Sequence, residues 1–250
     1  MEVYHGSNNT FIIVPYQSIW DNSYIAKQYC ANQYDGFILV KPHPLEMIIY
    51  NRDGSIATMC GNGIRCFIHY CYIHQLISKL ENDVITGSGL VHTEIVSINP
   101  FLVRVHMQVN YPMVLDKTVA FPKQVEVNHH IYPVYLVHTG VWHGVVIVTD
   151  WDSAVHDAPD LYQYPPFEND VNIDIVRQED TENIYIKTYE RGVGFTATCG
   201  TGMMATYAVL LRLGFIQPKE IQIRSDGGVM TVGKNYIVGP SCFIKTYIES

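Results

Sequence analysis

The sequence predicts an α+β protein of two pseudo-symmetric domains, each a curved, mainly antiparallel sheet around a central helix. Three observations carry that prediction. First, one stretch is written twice: Ala57-Thr58-Met59-Cys60-Gly61-Asn62-Gly63 returns as Thr196-Ala197-Thr198-Cys199-Gly200-Thr201-Gly202. Counting back from each cysteine without a gap, Tyr50 matches Tyr189, Asn51 matches Glu190 and Arg52 matches Arg191. A self-match separated by more than half the chain implies two similar units. Second, strand-like runs outnumber helical ones. Third, each long helical segment follows a strand through a Cys-Gly-x-Gly turn.

The elements follow in order. The apolar run Phe11–Val14 reads as a first strand, Ser23 as the cap of a helix over Tyr24–Asn32, and Asp35-Gly36 as the turn into a strand over Phe37–Val40. Met47–Tyr50 is the next strand, ended by the turn chemistry of Asn51-Arg52-Asp53-Gly54. Behind Cys60, the residues Ile64, Phe67, Ile68 and Cys71 have the i, i+3, i+4, i+7 spacing of a helix with one buried face, and helical character fades by Leu80. Strands are expected over Val91–Ile98 and Phe101–Val109. Tyr111-Pro112 and Pro122 then mark a crossing between domains. This divides the chain into an N-terminal domain over 1–112 and a C-terminal one over 113–238.

The second unit opens with strands near Val134–Val137 and Val145–Thr149. Tyr162–Asn169, with Pro165-Pro166, reads as a loop, and strands follow at Ile173–Val176 and Ile184–Tyr189. The second helix shows Met203, Tyr207, Leu210 and Leu211 on one face. Arg212 in its last turn and Gly214 just beyond suit the dipole and the C-cap. Ile221–Arg224, Met230–Val232 and Phe243–Tyr247 close the chain as short strands.

Composition narrows the function. A length of 250 residues leaves room for two domains of about 100–120 residues each. Hydrophobic content of 48% with 16% charged residues describes a packed protein, not a disordered one. A net charge of −8, with no run of Lys and Arg, argues against nucleic acid as a partner. No apolar run approaches the ~18–20 residues of a membrane span. Met1-Glu2-Val3-Tyr4-His5 lacks the pattern of a signal peptide, so the chain reads as cytoplasmic. Cysteines at 30, 60, 66, 71, 199 and 242 then read as reduced thiols. Cys60, Cys66, His69, Cys71 and His74 match no zinc spacing, and no metal is expected.

The paired cysteines carry the chemistry. A helix start favours a thiolate through its unpaired N–H groups and dipole. Glycine at +1 and +3 clears side chains from the turn, and the same N–H groups can hold a carboxylate. Cys60 and Cys199 facing each other across one cleft would place the Cα–H of an amino acid between two sulfurs. One thiolate removes the proton and the opposite thiol returns one to the other face, with no metal or pyridoxal cofactor required. Cys30, Cys66, Cys71 and Cys242 read as packing, and His69, His74 and His143 as structural.

At these residues the chain resembles the diaminopimelate epimerase family. Asn51-Arg52-Asp53-Gly54-Ser55 through Cys60-Gly61-Asn62-Gly63-Ile64-Arg65-Cys66 is similar to the family's first cysteine motif. Tyr189-Glu190-Arg191-Gly192-Val193-Gly194 through Cys199-Gly200-Thr201-Gly202 is similar to the second. His5-Gly6 with Asn9 and Phe11, Val171-Asn172, Asp226-Gly227-Gly228 and Gly239-Pro240 fall where other pieces of the pattern are expected. The resemblance implies a cofactor-independent racemase or epimerase with Cys60 and Cys199 as its two bases. Substrate would be bound by Asn9, Asn51, Asn172, Glu190 and Arg191, and its α-carboxylate by the backbone of Gly61, Asn62, Gly200 and Thr201. The resemblance further implies that strand 239–250 returns to the first domain, and that the protein forms a homodimer.

Departures from the family pattern concern the side-chain pocket. The family's Gly-Asn-Pro-His is Gly140-Val141-Trp142-His143 here, its glutamate before Thr196 is Phe195, and its glutamine after Asp35 is Gly36. Gly36, Val141, Trp142 and Phe195 are therefore the specificity candidates, and a flatter substrate such as histidine is expected in place of diaminopimelate. Three other readings compete. The first is a true epimerase of LL- and meso-diaminopimelate, and the second an isomerase of the phenazine-biosynthesis type, whose members lack the cysteine pair. The third is a non-catalytic amino-acid-binding protein.

Overall fold

The fold is described from a computed structural model, over residues 1–17, 22–31, 33–107, 122–168, 170–178, 180 and 183–246. The chain forms two compact units, one of residues 1–106 with 238–250 and one of residues 107–237. The expected crossing at Tyr111-Pro112, the boundary at 112/113, and the expected element ends at Asn32, Val109, Asn169 and Tyr247 lie outside the described residues.

Unit 1 opens with β1 (Glu2–Gly6) and β2 (Asn9–Pro15), a tight antiparallel hairpin with Gly6 opposite Asn9. The run Phe11–Val14 is therefore the second strand. Its predecessor escapes periodicity because polar Glu2 and His5 flank only Val3 and Tyr4. Helix α1 (Asn22–Cys30) crosses to β3 (Gly36–Pro42), which pairs parallel with β2. Ser23 lies within α1, not before it, and its hydroxyl donates to the Gly54 carbonyl at 2.7 Å. β4 (Leu45–Asn51), β5 (Ile56–Ala57), α2 (Gly61–Ile73), β6 (Glu81–Thr86), β7 (Gly89–Ile98) and β8 (Phe101–His106) complete the unit.

Strand β3 is buried from Gly36 to Val40, as expected for a strand covered on both faces. Alternation assigns its residues to two layers. Phe37 and Leu39 join Val3, Ile12, Ala26 and Cys30 in the core beneath α1. Ile38 turns to the other face, close to Gly63 of α2.

Unit 2 repeats this order. β9 (Lys123–Val127), β10 (His130–His138) and β11 (Trp142–Ile147) form an antiparallel meander, and α3 (Trp151–Tyr162) crosses to β12 (Val171–Gln178), parallel to β11. β13 (Ile184–Glu190), β14 (Gly194–Thr196), α4 (Gly200–Arg212), β15 (Ile221–Ser225) and β16 (Gly228–Gly233) follow, then β17 (Tyr236–Pro240). The last strand, β18 (Cys242–Thr246), pairs antiparallel with β1 within unit 1. Val171, Ile173 and Ile175 of β12 face the core beneath α3. Asn172 and Asp174 therefore point to the opposite face, where Asp174 lies against Gly202 of α4.

Three further expectations are corrected. Helix α3 was not anticipated: polar Asp157 sits on its buried face and Pro159 inside it, breaking the apolar pattern of Ala154, Ala158 and Leu161. The segment 165–167 within the expected loop is a short 3-10 turn. The central helices are also buried all round, α2 from Asn62 to Cys71 and α4 from Gly202 to Leu210, so each fills its sheet's interior instead of covering one face. Among the described residues no helix is long and apolar enough to cross a membrane.

Candidate active site

In unit 1, Cys60 is the N-cap residue of α2, with extended backbone, and its sulfur accepts from the Gly63 N–H at 3.4 Å. It is half-buried. Gly61 and Asn62 follow as the first backbone N–H groups of the helix, the kind of position that binds anions. A Cβ on Gly61 would meet nothing within 4 Å, so that glycine leaves open space, whereas one on Gly63 would press on Ile49 and Ile38. Glycine at +1 thus permits close approach, and glycine at +3 serves packing. The amide of Asn62 donates to Asn9 Oδ1, joining two expected substrate-binding residues. Asn51 ends β4 directly opposite Gly36, and its amide donates to Ser55 Oγ at 2.9 Å. Gly36 is buried, and a Cβ there would lie 2.9 Å from the Tyr50 carbonyl and 3.1 Å from Phe11. Packing alone therefore accounts for that glycine.

Sequence reasoning missed Arg65, which is 0% exposed. It donates to the carbonyls of Gly61 and Pro240, to Ser7 Oγ and to Asn62 Oδ1. At helix spacing it reads as an ordinary surface cation, and only the fold reveals its burial. His69, considered among the zinc candidates, bonds Ser241 Oγ at 3.0 Å and stacks on Phe101; burial lowers it to about 4, so it stays neutral. Among the described residues no group of three or more His, Cys, Asp and Glu could hold a metal.

In unit 2, Cys199 is the N-cap residue of α4, buried, with Sγ 3.2 Å from Thr201 Oγ1. That hydroxyl lies 3.0 Å from His143 Nε2, and His143 Nδ1 lies 2.7 Å from Asp174 Oδ2. His143 and Asp174 are fully buried, and Thr188 donates to the other Asp174 oxygen. His143 was expected to be structural; the fold instead puts it one hydroxyl away from the thiol. A carboxylate on Nδ1 fixes the proton there, so Nε2 accepts from Thr201, whose oxygen can accept from the Cys199 S–H. The chain of donors therefore runs outward from Cys199.

The pKa of Cys199 corrects a second expectation. Its helix start is outweighed. Burial pushes the thiol well above its usual value, the Glu190 and Asp174 carboxylates add to that, and only the Thr201 contact and the backbone oppose it. Cys199 rests as a thiol, the form suited to delivering a proton. Burial likewise raises the Glu190 carboxyl, against a hydrogen bond from Thr196 Oγ1 at 2.5 Å. A Cβ on Gly202 would collide with Asp174, so glycine at +3 is again packing.

The remaining candidates surround this group. Asn172, opposite His143 across the sheet, accepts the Arg191 backbone N–H at 2.8 Å. The Arg191 guanidinium pairs with Asp170. Val141 is exposed in the β10–β11 turn, where Thr139 donates to the Thr201 carbonyl at 3.2 Å. Trp142 packs edge-on to His138 and against the core beneath α3. Phe195 meets Tyr189 edge-on at 5.2 Å, with Lys187 Nζ 5.4 Å from its ring centre.

The sequence pattern of the family described as "Diaminopimelate epimerase" matches residues 1–110 and 135–236. The chain belongs to the diaminopimelate epimerase family. As a family member it is an isomerase of the racemase and epimerase kind that works without pyridoxal phosphate. A diaminopimelate epimerase of Caldanaerobacter subterraneus subsp. tengcongensis is 31% identical over 91% of this chain and 89% of its own. One from Helicobacter pylori is 35% identical over 90% and 89%. Solved structures extend the likeness at the level of fold. A Bacillus anthracis phenazine biosynthesis protein of the PhzF family has a TM-score of 0.70 at 14% identity, covering 98% of this chain and 96% of its own. A hydroxyproline epimerase from Agrobacterium vitis has a TM-score of 0.69 at 15% identity, covering 98% and 90%.

Proposed function

We propose that this member of the family inverts the Cα of a free amino acid with two thiols, Cys60 and Cys199, as its acid and base. One thiolate takes the α-proton from one face, and the other thiol returns a proton to the opposite face. Backbone N–H groups at Gly61, Asn62, Gly200 and Thr201 bind the α-carboxylate and stabilise the enediolate-like charge that develops on it. The observation that carries this reading is the duplicated element: in each unit a short strand leads, three residues on, to a cysteine at the N-cap position of the buried central helix. The reaction would proceed in the cytoplasm, where thiols stay reduced.

We further propose a substrate with one carboxylate and a flat side chain, histidine being the leading candidate. Arg191, expected among the substrate-binding residues and suited to a carboxylate, is already paired with Asp170. Val141 and Phe195 are apolar where a second amino-acid head group would need polar partners, and leaving such a group unpaired costs about 1–3 kcal/mol. A second reading, diaminopimelate itself, is favoured by the names of the relatives and by the presence of Asn51, Asn172 and Arg191.

Both readings are tested by incubating the reduced protein in D₂O with L-histidine, LL-diaminopimelate and other L-amino acids, following loss of the Cα–H signal by proton NMR. Exchange with histidine but not diaminopimelate is expected, and the reverse would select the second reading. Cys60→Ser and Cys199→Ser should each lower racemisation by at least ~10²-fold. Undiminished turnover in either variant would rule out the two-thiol scheme.

A further inference from the structure

We propose that Arg65 is a positioning residue of unit 1, a buried positive charge that sets Cys60 and the first turn of α2 to accept negative charge. Its consequence for turnover rests on the function proposed above; its effect on the thiol does not.

Arg65 is completely buried, and among the described residues every acceptor it donates to is neutral. Nε donates to the Pro240 carbonyl at 3.2 Å and Nη1 to the Gly61 carbonyl at 3.0 Å, while Nη2 donates to Ser7 Oγ at 3.0 Å and Asn62 Oδ1 at 2.8 Å. Among the described residues none of its hydrogen bonds ends on a carboxylate. A guanidinium so placed ordinarily has an anionic partner, because burying an uncompensated charge is costly.

Among the described residues, the strands packed on α2 do not supply one. On β1, Glu2 is bonded to Tyr4 and His74, and Tyr4 and His5 are the other titratable groups. On β3 and β4, Lys41 and Glu46 pair with each other. β2 carries no charged residue, Arg104 of β8 pairs with Glu94, His106 ends β8, and β18 brings Cys242 and Lys245. The negative charges that reach Arg65 would be those of the Cys66 and Cys60 thiolates, acting against a burial that lowers Arg65 to about 10. Burial pushes Cys66 up to about 12, so it stays neutral, and Cys60 is the half-buried one of the two.

The cradle is shaped for the cation. A Cβ on Gly239 would sit 2.9 Å from both Cζ and Nε of Arg65, and one on Gly6 would sit 3.4 Å from Nη2 and 2.8 Å from the Asn62 carbonyl. Two strands distant in sequence thus clear space for one side chain. The same side chain orders the helix start. The peptide joining Gly61 to Asn62 has its carbonyl on Arg65, so its N–H points the opposite way, out of the helix. Asn62, held by Arg65 through Oδ1, in turn holds Asn9 through its amide.

The test is the pH dependence of iodoacetamide alkylation of the full-length reduced protein, read at the Cys60 peptide by mass spectrometry. Arg65→Met should raise the Cys60 midpoint by about 1–3 pH units, the effect of losing a nearby opposite charge. Arg65→Lys, which keeps the charge, should restore most of the shift. An unchanged midpoint in folded Arg65→Met would overturn the proposal, as would an Arg65→Lys midpoint as high as that of Arg65→Met. Should Arg65→Met fail to fold, Gly239→Ala displaces the guanidinium without deleting it. A raised midpoint there supports the proposal and an unchanged one overturns it. Because alkylation needs no substrate, a failure to find Cα exchange would leave this measurement standing.

Discussion

His143 Nε2 lies 3.0 Å from the Thr201 hydroxyl and, with Nδ1 committed to Asp174, can receive a proton but not offer one to it. A proton leaving Cys199 therefore has a hydrogen-bonded path through the Thr201 hydroxyl to His143 Nε2. Under the function proposed above, this path would let a thiol whose resting pKa is raised act as a base. Thr201→Val keeps the shape and removes the relay. It should lower turnover by ~10²-fold and move the pH profile to the alkaline side, since the Thr201 contact lowers the Cys199 pKa. An unshifted profile measured by deuterium exchange would count against the relay.

Glu190 acts on the same thiol with the opposite sign. Its negative charge, like that of Asp174, raises Cys199. Glu190→Gln removes that charge and retains an acceptor for the Thr196 hydroxyl. The Cys199 peptide should then be alkylated at lower pH than in the parent protein. A midpoint that stays in place would show that burial alone sets the thiol.

Much of this arrangement was legible in the residues, and the remainder was hidden for identifiable reasons. Both cysteine turns, both central helices and most strands follow from the duplication and from apolar spacing. Helix α3 could have been found by carrying the duplication further, because it stands in unit 2 where α1 stands in unit 1, between two parallel strands. Pro159 and Asp157 obscured it. Arg65 and His143 were not legible, since burial of a polar side chain depends on which distant strands cover it. The raised pKa of Cys199 was hidden for the same reason: Asp174 reaches α4 only through the alternation of β12.

Asp157 has a separate, structural role that pH should expose. It is buried on α3 and accepts hydrogen bonds from Asn128, His130, Tyr132 and His156, tying the helix to the β9–β10 hairpin. Burial alone would raise its carboxyl, yet these bonds together hold it well below the usual carboxylate range. A depressed folded pKa contributes stability that is present above the unfolded value of ~3.9 and is lost as pH falls below it toward the folded value. Asp157→Asn should cost about 2–3 kcal/mol near neutral pH, and its thermal midpoint should decline less steeply than the parent's below pH ~4. Parallel acid profiles in calorimetry would mean that Asp157 is not the responsible group.

The ion pair of Asp170 with Arg191 yields the sharpest test of substrate choice. Both side chains are more than half exposed, so the pair is worth only about 0.2–1 kcal/mol and its loss should barely change stability. Asp170→Ala nevertheless frees a planar donor fork suited to a carboxylate. If Arg191 is held from a second carboxylate by Asp170, kcat/KM for diaminopimelate relative to histidine should rise up to ~5-fold, the equivalent of ~1 kcal/mol. Adding Val141→Asn, which restores an amide at the β10–β11 turn, should raise the ratio further. A ratio that does not move in the double variant would remove Asp170 and Val141 from the account of specificity, leaving Phe195 as the residue to change next.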